Sequence, residues 1–426
     1  MTRAALLLMA TTLAISTAAA KDSESPPDSL ATRIEETRDG DLAVNDLAIL
    51  LLEAEVDAVT AWLKDVSLAS NEATSPRSAR PQRLLTKAKL VPGIIRGLIS
   101  RQEIPAEARA HALAVGVEIL HAGGTPADFR QLVRLVTSAG KLDPRRAGKA
   151  PSSLRRCLLD ATSLRLYSFP DLERLYQVAP DPLARAILDG VAGGADPEYS
   201  ARALARLLGL LPARDPAVLN RLHLALQRAR AGSNPGVADR VAPYLDDART
   251  FARHEAAGCL ARTGERAHVQ PLIERLEDSE LAVRIAAQTA LHELTGMALP
   301  AHPQRWRGWF DEQLAWWDSE GQSQLDELRF ASRTGQLTIL RDVSTKRLFH
   351  DEIAEGVAEL LRGGDAATQC LALSALGTLR SPSTLDLVDS YEAHPDPDVR
   401  AASRAALRSY QQAQTCRSRS SGSTAR

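Results

Sequence analysis

Two pairs of neighbouring side chains carry the most chemical potential in this sequence, His254-Glu255 and His292-Glu293. An imidazole beside a carboxylate can ligate a transition metal, and two such pairs facing each other could hold a metal centre. That requires both pairs to occupy the same position of successive structural units. They are 38 residues apart, whereas the chain repeats itself every 31 residues, the distance from Arg253 to Arg284. One repeat on from His254-Glu255 stand Ile285-Ala286. The pairs therefore fall out of register, and solvated helix faces account for both. The chain contains no His-Glu-x-x-His, Cys-x-x-Cys-His or Gly-x-Ser-x-Gly motif and no phosphate-cradling Gly-rich loop. No catalytic, cofactor-binding or metal-ligating residue is assigned.

A second concentration is aromatic. Trp306, Trp309, Trp316 and Trp317 are four of the five tryptophans. At 100° per residue they fall with Phe310 and Leu314 within an arc of roughly 160°, behind Pro303 at a helix start. Such a face either plugs onto neighbouring helices or serves as a binding hot spot, where tryptophan is enriched. An exposed patch of that size would be unusual on a soluble protein, so the arc argues for the plug. The same four residues are the candidates for a protein-binding site.

Other reactive types read as structural. Cys259 and Cys370 lie inside helical repeats, where a buried, unpaired thiol acts as an apolar filler. Gly123-Gly124, Gly193-Gly194 and Gly363-Gly364 each close a helical run. The basic stretch from Lys141 to Arg156 lacks the interleaved aromatics of a nucleic-acid platform and reads as a solvated linker. With 52 basic and 53 acidic residues, the chain carries no global charge that would favour nucleic acid or an anionic membrane.

The elements that hold these residues are helices. Ala252-Arg-His-Glu-Ala-Ala-Gly-Cys-Leu260 matches Val283-Arg-Ile-Ala-Ala-Gln-Thr-Ala-Leu291, and Thr368–Leu376 matches Val399–Leu407 at the same 31-residue spacing. A period of this length marks one helical hairpin per repeat, and neighbouring hairpins must stack to bury their apolar faces. Small residues sit where helices approach closely, and leucines where they interlock. Between Leu84 and Leu245, Thr125-Pro126, Asp181-Pro182, Asp196-Pro197, Asp215-Pro216 and Asn234-Pro235 each pair a capping side chain with a proline and predict helix starts. The fold class expected is all-α, an α-solenoid of stacked antiparallel hairpins.

The Val-Arg-x-Ala-x-x-x-Ala-Leu core resembles HEAT repeats, especially the short class associated with phycobilisome lyases. Leu294-Thr-Gly296, followed by Trp306-Arg-Gly-Trp309, resembles a segment of exported HEAT-repeat proteins of planctomycete-type bacteria. The resemblance implies a HEAT-like fold and no transferable chemistry, because that class spans scaffolds, regulators and a few enzymes. One enzyme group of the class holds a diiron centre with His-Glu pairs repeated on successive helices, a pattern that the 38-residue spacing here does not keep.

The expected organisation is a signal peptide over 1–20, a flexible lead-in over 21–41, a helical-repeat solenoid over 42–299, a Trp-rich helix inserted over 300–330, HEAT-like repeats over 331–412 and a disordered tail over 413–426. The signal peptide follows from Arg3, the apolar Ala4–Ile15 and the Ala-x-Ala site ending at Ala20. After its cleavage no stretch is long and apolar enough to span a bilayer. The expected function is that of an exported scaffold, periplasmic or extracellular, binding another protein through an extended concave surface without catalysis. The alternatives are a metal-dependent hydroxylase or lyase-like enzyme on the same repeats, and a structural spacer of the cell envelope.

Overall fold

A computed structural model describes residues 29–36, 42–71, 79–100, 105–139, 146–229 and 235–420. Among them every regular element is helical and none is a strand. The fold is all-α. The expected signal peptide lies outside the described residues.

The chain divides into two compact units, with the boundary between Arg221 and Leu222. The first contains α1 (Leu30–Glu36), α2 (Val44–Glu53), α3 (Val56–Asn71), α4 (Ala79–Ala88), α5 (Val91–Ile99), α6 (Ala106–Gly123), α7 (Pro126–Ala139), α8 (Ala150–Ser163), α9 (Phe169–Val178), α10 (Asp181–Gly193) and α11 (Pro197–Leu207). The boundary falls inside α12 (Asp215–Arg228). The second contains α13 (Pro235–Val241), α14 (Thr250–Thr263), α15 (Val269–Glu274), α16 (Leu281–Thr295), α17 (Pro303–Trp316), α18 (Gln322–Leu328), α19 (Arg333–Val343), α20 (His350–Gly363), α21 (Ala366–Leu379), α22 (Leu385–Ser390) and α23 (Pro397–Ser420). In the first unit α3, α6, α8 and α10 pack in series; in the second, α14 packs on α16 and α21 on α23.

Close approach explains the small residues. A Cβ on Gly190 would meet the Arg155 carbonyl and Leu158 Cβ, each at 2.6 Å, so α10 can seat on α8 only with glycine there. On the other unit, a Cβ on Gly377 would lie 2.9 Å from the Ala406 backbone, fixing α21 against α23. Leu260, Leu291 and Leu376 are fully buried at the interlocking position, whereas Leu407, on the last helix, is half-buried.

The motif arginine holds a turn. Arg253 Nη1 donates to the carbonyls of Asp247 and Ala248 at 2.9 and 3.2 Å. Arg284 does the same to Asp278 and Ser279 at 2.8 and 2.9 Å, and Arg400 to His394 and Pro395, both at 2.7 Å. In each case the guanidinium reaches back six and five residues, satisfying carbonyls that the turn leaves without helical partners. Arg253 also grips Asp278 of the next repeat through two bonds of 2.8 and 3.0 Å.

Polar contacts extend the period beyond the motif. In the first unit Arg165–Asp196, Tyr199–Tyr167, Arg206–Glu173 and Arg221–Asp189 are separated by 31 to 33 residues. In the second, His223–Glu255, Arg262–Ala229, Arg307–Glu277 and Tyr391–Leu361 are separated by 30 to 33.

Several local expectations are corrected. The start of the expected solenoid is two helices, α2 and α3, separated at the extended Ala54. The lead-in contains α1, because Leu30 and Ile34, one turn apart, bury their side chains. The linker reading fails from Ala150 onward, where Leu154, Cys157, Leu158 and Ala161 form the buried face of α8; residues 140–145 lie outside the described set. The tail expected from 413 is helical to Ser420, in keeping with its Gln, Ala and Arg content. Trp-rich α17 is not an isolated insertion, since it packs on α15 and continues through a π turn at Trp317–Gly321 into α18, which packs on α20. Helices do end at Gly123, Gly193 and Gly363. Asp196 caps its helix, accepting from the amides of Glu198 and Tyr199. Asp181 and Asp215 instead form the first helical residues, and their carboxylates serve Arg214 and the Gly209 amide. Asn234 lies outside the described residues.

Candidate functional site

The tryptophans of α17 and of the π turn after it face inward to different degrees. Trp306 is fully buried and Trp316 nearly so, while Trp309 and Trp317 are half-buried. Trp306 meets Trp309 edge-on with ring centroids 5.8 Å apart and lies 5.7 Å from the His292 ring. Trp317 stacks on Phe349 at 4.3 Å, and the Arg266 guanidinium lies 4.6 Å from the Phe349 ring centroid. The Lys346 ammonium sits 4.7 Å from the centroid of the Trp316 ring. Gly321 gives the π turn its room, because a Cβ there would strike the Trp317 ring at 2.8 Å. Of the four, only Trp309 and Trp317 offer any surface to a partner.

The His-Glu pairs are engaged separately. Glu255 is buried and accepts hydrogen bonds from His223 Nδ1 at 2.8 Å and His254 Nδ1 at 3.3 Å. Burial alone would raise its pKa, but the two imidazoles outweigh this and hold the carboxyl down at about 2. The Glu255 carboxylate raises the His254 pKa in return. Gly258 makes room for this clamp, since a Cβ there would run into the His223 imidazole. His292 Nε2 lies 2.8 Å from the Leu299 carbonyl, and Glu293 faces Arg262 at 3.9 Å. Among the described residues no group of three or more His, Cys, Asp or Glu could hold a metal ion.

Cysteines 157 and 259 are buried and not in disulfides. Burial pushes the Cys157 thiol up to about 12 and Cys259 well above its usual value, so neither is a ready nucleophile. Cys370 is half-buried rather than buried, being on the partly open face of α21.

A charge cluster in the first unit is built on one buried carboxylate, with Arg156 and Asp160 47 and 48% exposed around it. Glu118, on α6, is paired with Arg156 of α8, and His121 Nδ1 lies 3.9 Å from it. The other imidazole nitrogen, Nε2, meets Asp160 Oδ2 at 2.7 Å. Burial pushes the Glu118 pKa up, but His121, Ser153 and Arg156 together hold it below the ordinary range. Glu118, then Asp160, raise the pKa of His121 against burial. Beside this cluster opens a cleft of about 300 Å³ between the C-terminal ends of α6 and α8 and the start of α7. The sequence signal was a lone acid within Val115-Gly-Val-Glu118-Ile-Leu120, a charge in an apolar run that must find a partner inside.

No known family model matches this chain, and no curated protein does. Among solved structures it is similar to an engineered protein known from a crystal structure. The identity is 14%, the TM-score 0.27, and the match covers 86% of this chain and 98% of that one. A likeness at that level carries no argument about function.

Together the side chains best suited to chemistry are spent on structure. The motif arginines close turns, the His-Glu pairs belong to separate hydrogen-bond sets, and the thiols are buried apolar fillers or half-buried. Surface that could meet a partner lies elsewhere, at the N-terminal ends of α14 and α16. There Phe251, Leu281 and Ile285 are 48, 61 and 54% exposed on two helices that pack side by side.

Proposed function

We propose that this chain is an exported scaffold, an α-solenoid of HEAT-like hairpins that binds another protein and has no catalysis of its own. The observation that carries the reading is the apolar strip of Phe251, Leu281 and Ile285. Leu281 and Ile285 are one turn apart on α16, and Phe251, on the neighbouring α14, corresponds one repeat on to Ala282, the residue after Leu281. Glu280, exposed immediately before Leu281, provides a polar neighbour. Apolar anchors with polar neighbours are the usual composition of a protein-binding patch. The repeat-spaced hydrogen bonds support the stacked arrangement, and the internal commitment of His254, Glu255, His292 and Glu293 favours a scaffold over a metal-dependent enzyme. Export rests on the N-terminal grammar.

The test compares the wild-type chain with a Phe251→Ser, Ile285→Ser double variant in cross-linked capture from the native envelope. Both positions are exposed, so the variant should keep its melting behaviour and lose the captured partner. Equal capture by both proteins, or stoichiometric iron in the purified chain, would count against the proposal. N-terminal sequencing of the mature protein should begin after Ala20; an intact Met1 would remove the export claim.

A further inference from the structure

The cleft beside Glu118 has a composition that selects a ligand class. Its walls are mainly Leu120, Phe129, Leu132, Ala161 and Leu166, with His121, Asp128 and Asp160 among the polar lining residues. About 300 Å³ is the lower end of the range for small-molecule sites. Leu164 belongs to the lining and leaves 67% of its surface in water, an apolar lip that an occupant would cover.

The electrostatics favour a cation. Arg156 is taken up by Glu118, and His121 lies between Glu118 and Asp160. Arg165, next to Leu164, pairs with Asp196 and lies over the Tyr199 ring, 5.4 Å from its centroid. Among the described residues, Asp128 receives the Thr125 amide and hydroxyl, at 3.1 and 2.6 Å, and no basic side chain. Helices α6 and α8 both end at the cleft, and helix C-termini carry partial negative charge. Helix α7 starts there, but its first turn is already capped by Thr125, whose hydroxyl accepts from the Asp128 amide at 3.2 Å. An anion would face two carboxylates and two helix C-termini, against one basic lining group, His121, which already pairs with Asp160.

We propose that this cleft binds a small organic ammonium ion with an apolar body, the head between Asp128 and Asp160 and the body on Phe129, Leu132 and Leu164. Strained backbone shapes the lip. Arg165 is left-handed at φ 53°, and the amide bonds Arg165 to Thr162 and Leu166 to Ala161 close the end of α8 and turn Leu164 outward.

The probe is hexylammonium, titrated calorimetrically into the full chain with hexanol and hexanoate as controls for the head group. Hexylammonium should bind at least about tenfold more tightly than either control, the factor expected for a charge-assisted contact. Asp160→Asn should weaken it by about tenfold. Leu164→Ser, at an exposed position with no role in the core, should weaken all the apolar probes by several-fold while melting is unchanged. Hexanoate binding as tightly as hexylammonium, indifference to Asp160→Asn in a folded variant, or no measurable heat with any probe would each overturn the proposal.

Discussion

Arg253 and Glu255, two residues apart on α14, show how polar groups at the heart of the motif serve the fold. Arg253 and Asp278 leave only 11 and 4% of their side chains exposed, and Arg253 closes its own turn as well. Arg253→Ala should therefore cost about 1.5–3 kcal/mol, the range for hydrogen bonds to charged groups, measured by chemical denaturation. The Arg253 side chain holds the Asp278 pKa below its usual value. That contribution is present above the unfolded aspartate pKa and is lost as pH falls through the folded one. Glu255 follows the same sign more deeply. Its stabilisation is present above the unfolded value of about 4.3 and fades as pH drops toward about 2. Denaturation midpoints of Glu255→Gln should be lower than wild type at neutral pH, with the gap closing between about pH 4 and pH 2. A gap that stays constant over that range would show that the carboxylate is not held by His223 and His254.

At the scale of the element, burial separates residues that the motif makes look alike. Leu291 and Leu407 stand at the same motif position, but Leu291 is fully buried while Leu407 is half-buried on the final helix. Leu291→Ala should cost about 3–4 kcal/mol and Leu407→Ala about 1–2. Equal losses would put the two helices in equivalent surroundings and contradict the packing described. Trp306→Ala should cost about 3–5 kcal/mol, as for any large aromatic removed from a core. Tryptophan emission should shift to the red on unfolding; a native spectrum already red-shifted and open to iodide would mean that α17 is exposed.

What was legible in the sequence followed from local rules. Gly-Gly pairs at helix ends, the Thr125 and Asp196 caps and the repeated Leu260 and Leu291 were readable because each depends on its own neighbours. The hidden features depend on partners a repeat or more away. Nothing near Glu255 announces His223, 32 residues earlier. Glu118 meets Arg156 at a separation of 38 residues, off the 31-residue period. The break at Ala54 has no local signal, because the apolar pattern of α2 runs into that of α3 without a glycine or proline between them.

Across the whole molecule, the same separation of about one repeat recurs in both units, from Arg165–Asp196 to Tyr391–Leu361, at 31 and 30 residues. Repeats of this kind are stabilised by intrinsic and nearest-neighbour terms. Leu291→Ala should accordingly speed amide exchange in α14 and α16 more than in α8 and α10, as read by hydrogen-exchange mass spectrometry. Uniform acceleration throughout the chain would argue for one cooperative block. The measurement that bears most directly on the proposed role places a photo-crosslinking amino acid at position 285, on the apolar strip, and at the exposed Glu274 position of α15 as control. Illumination of the protein in its native cells should give one discrete heavier species from 285 and none from 274. Adducts of equal yield at both positions, or none from 285, would contradict the claim that α14 and α16 carry the binding face.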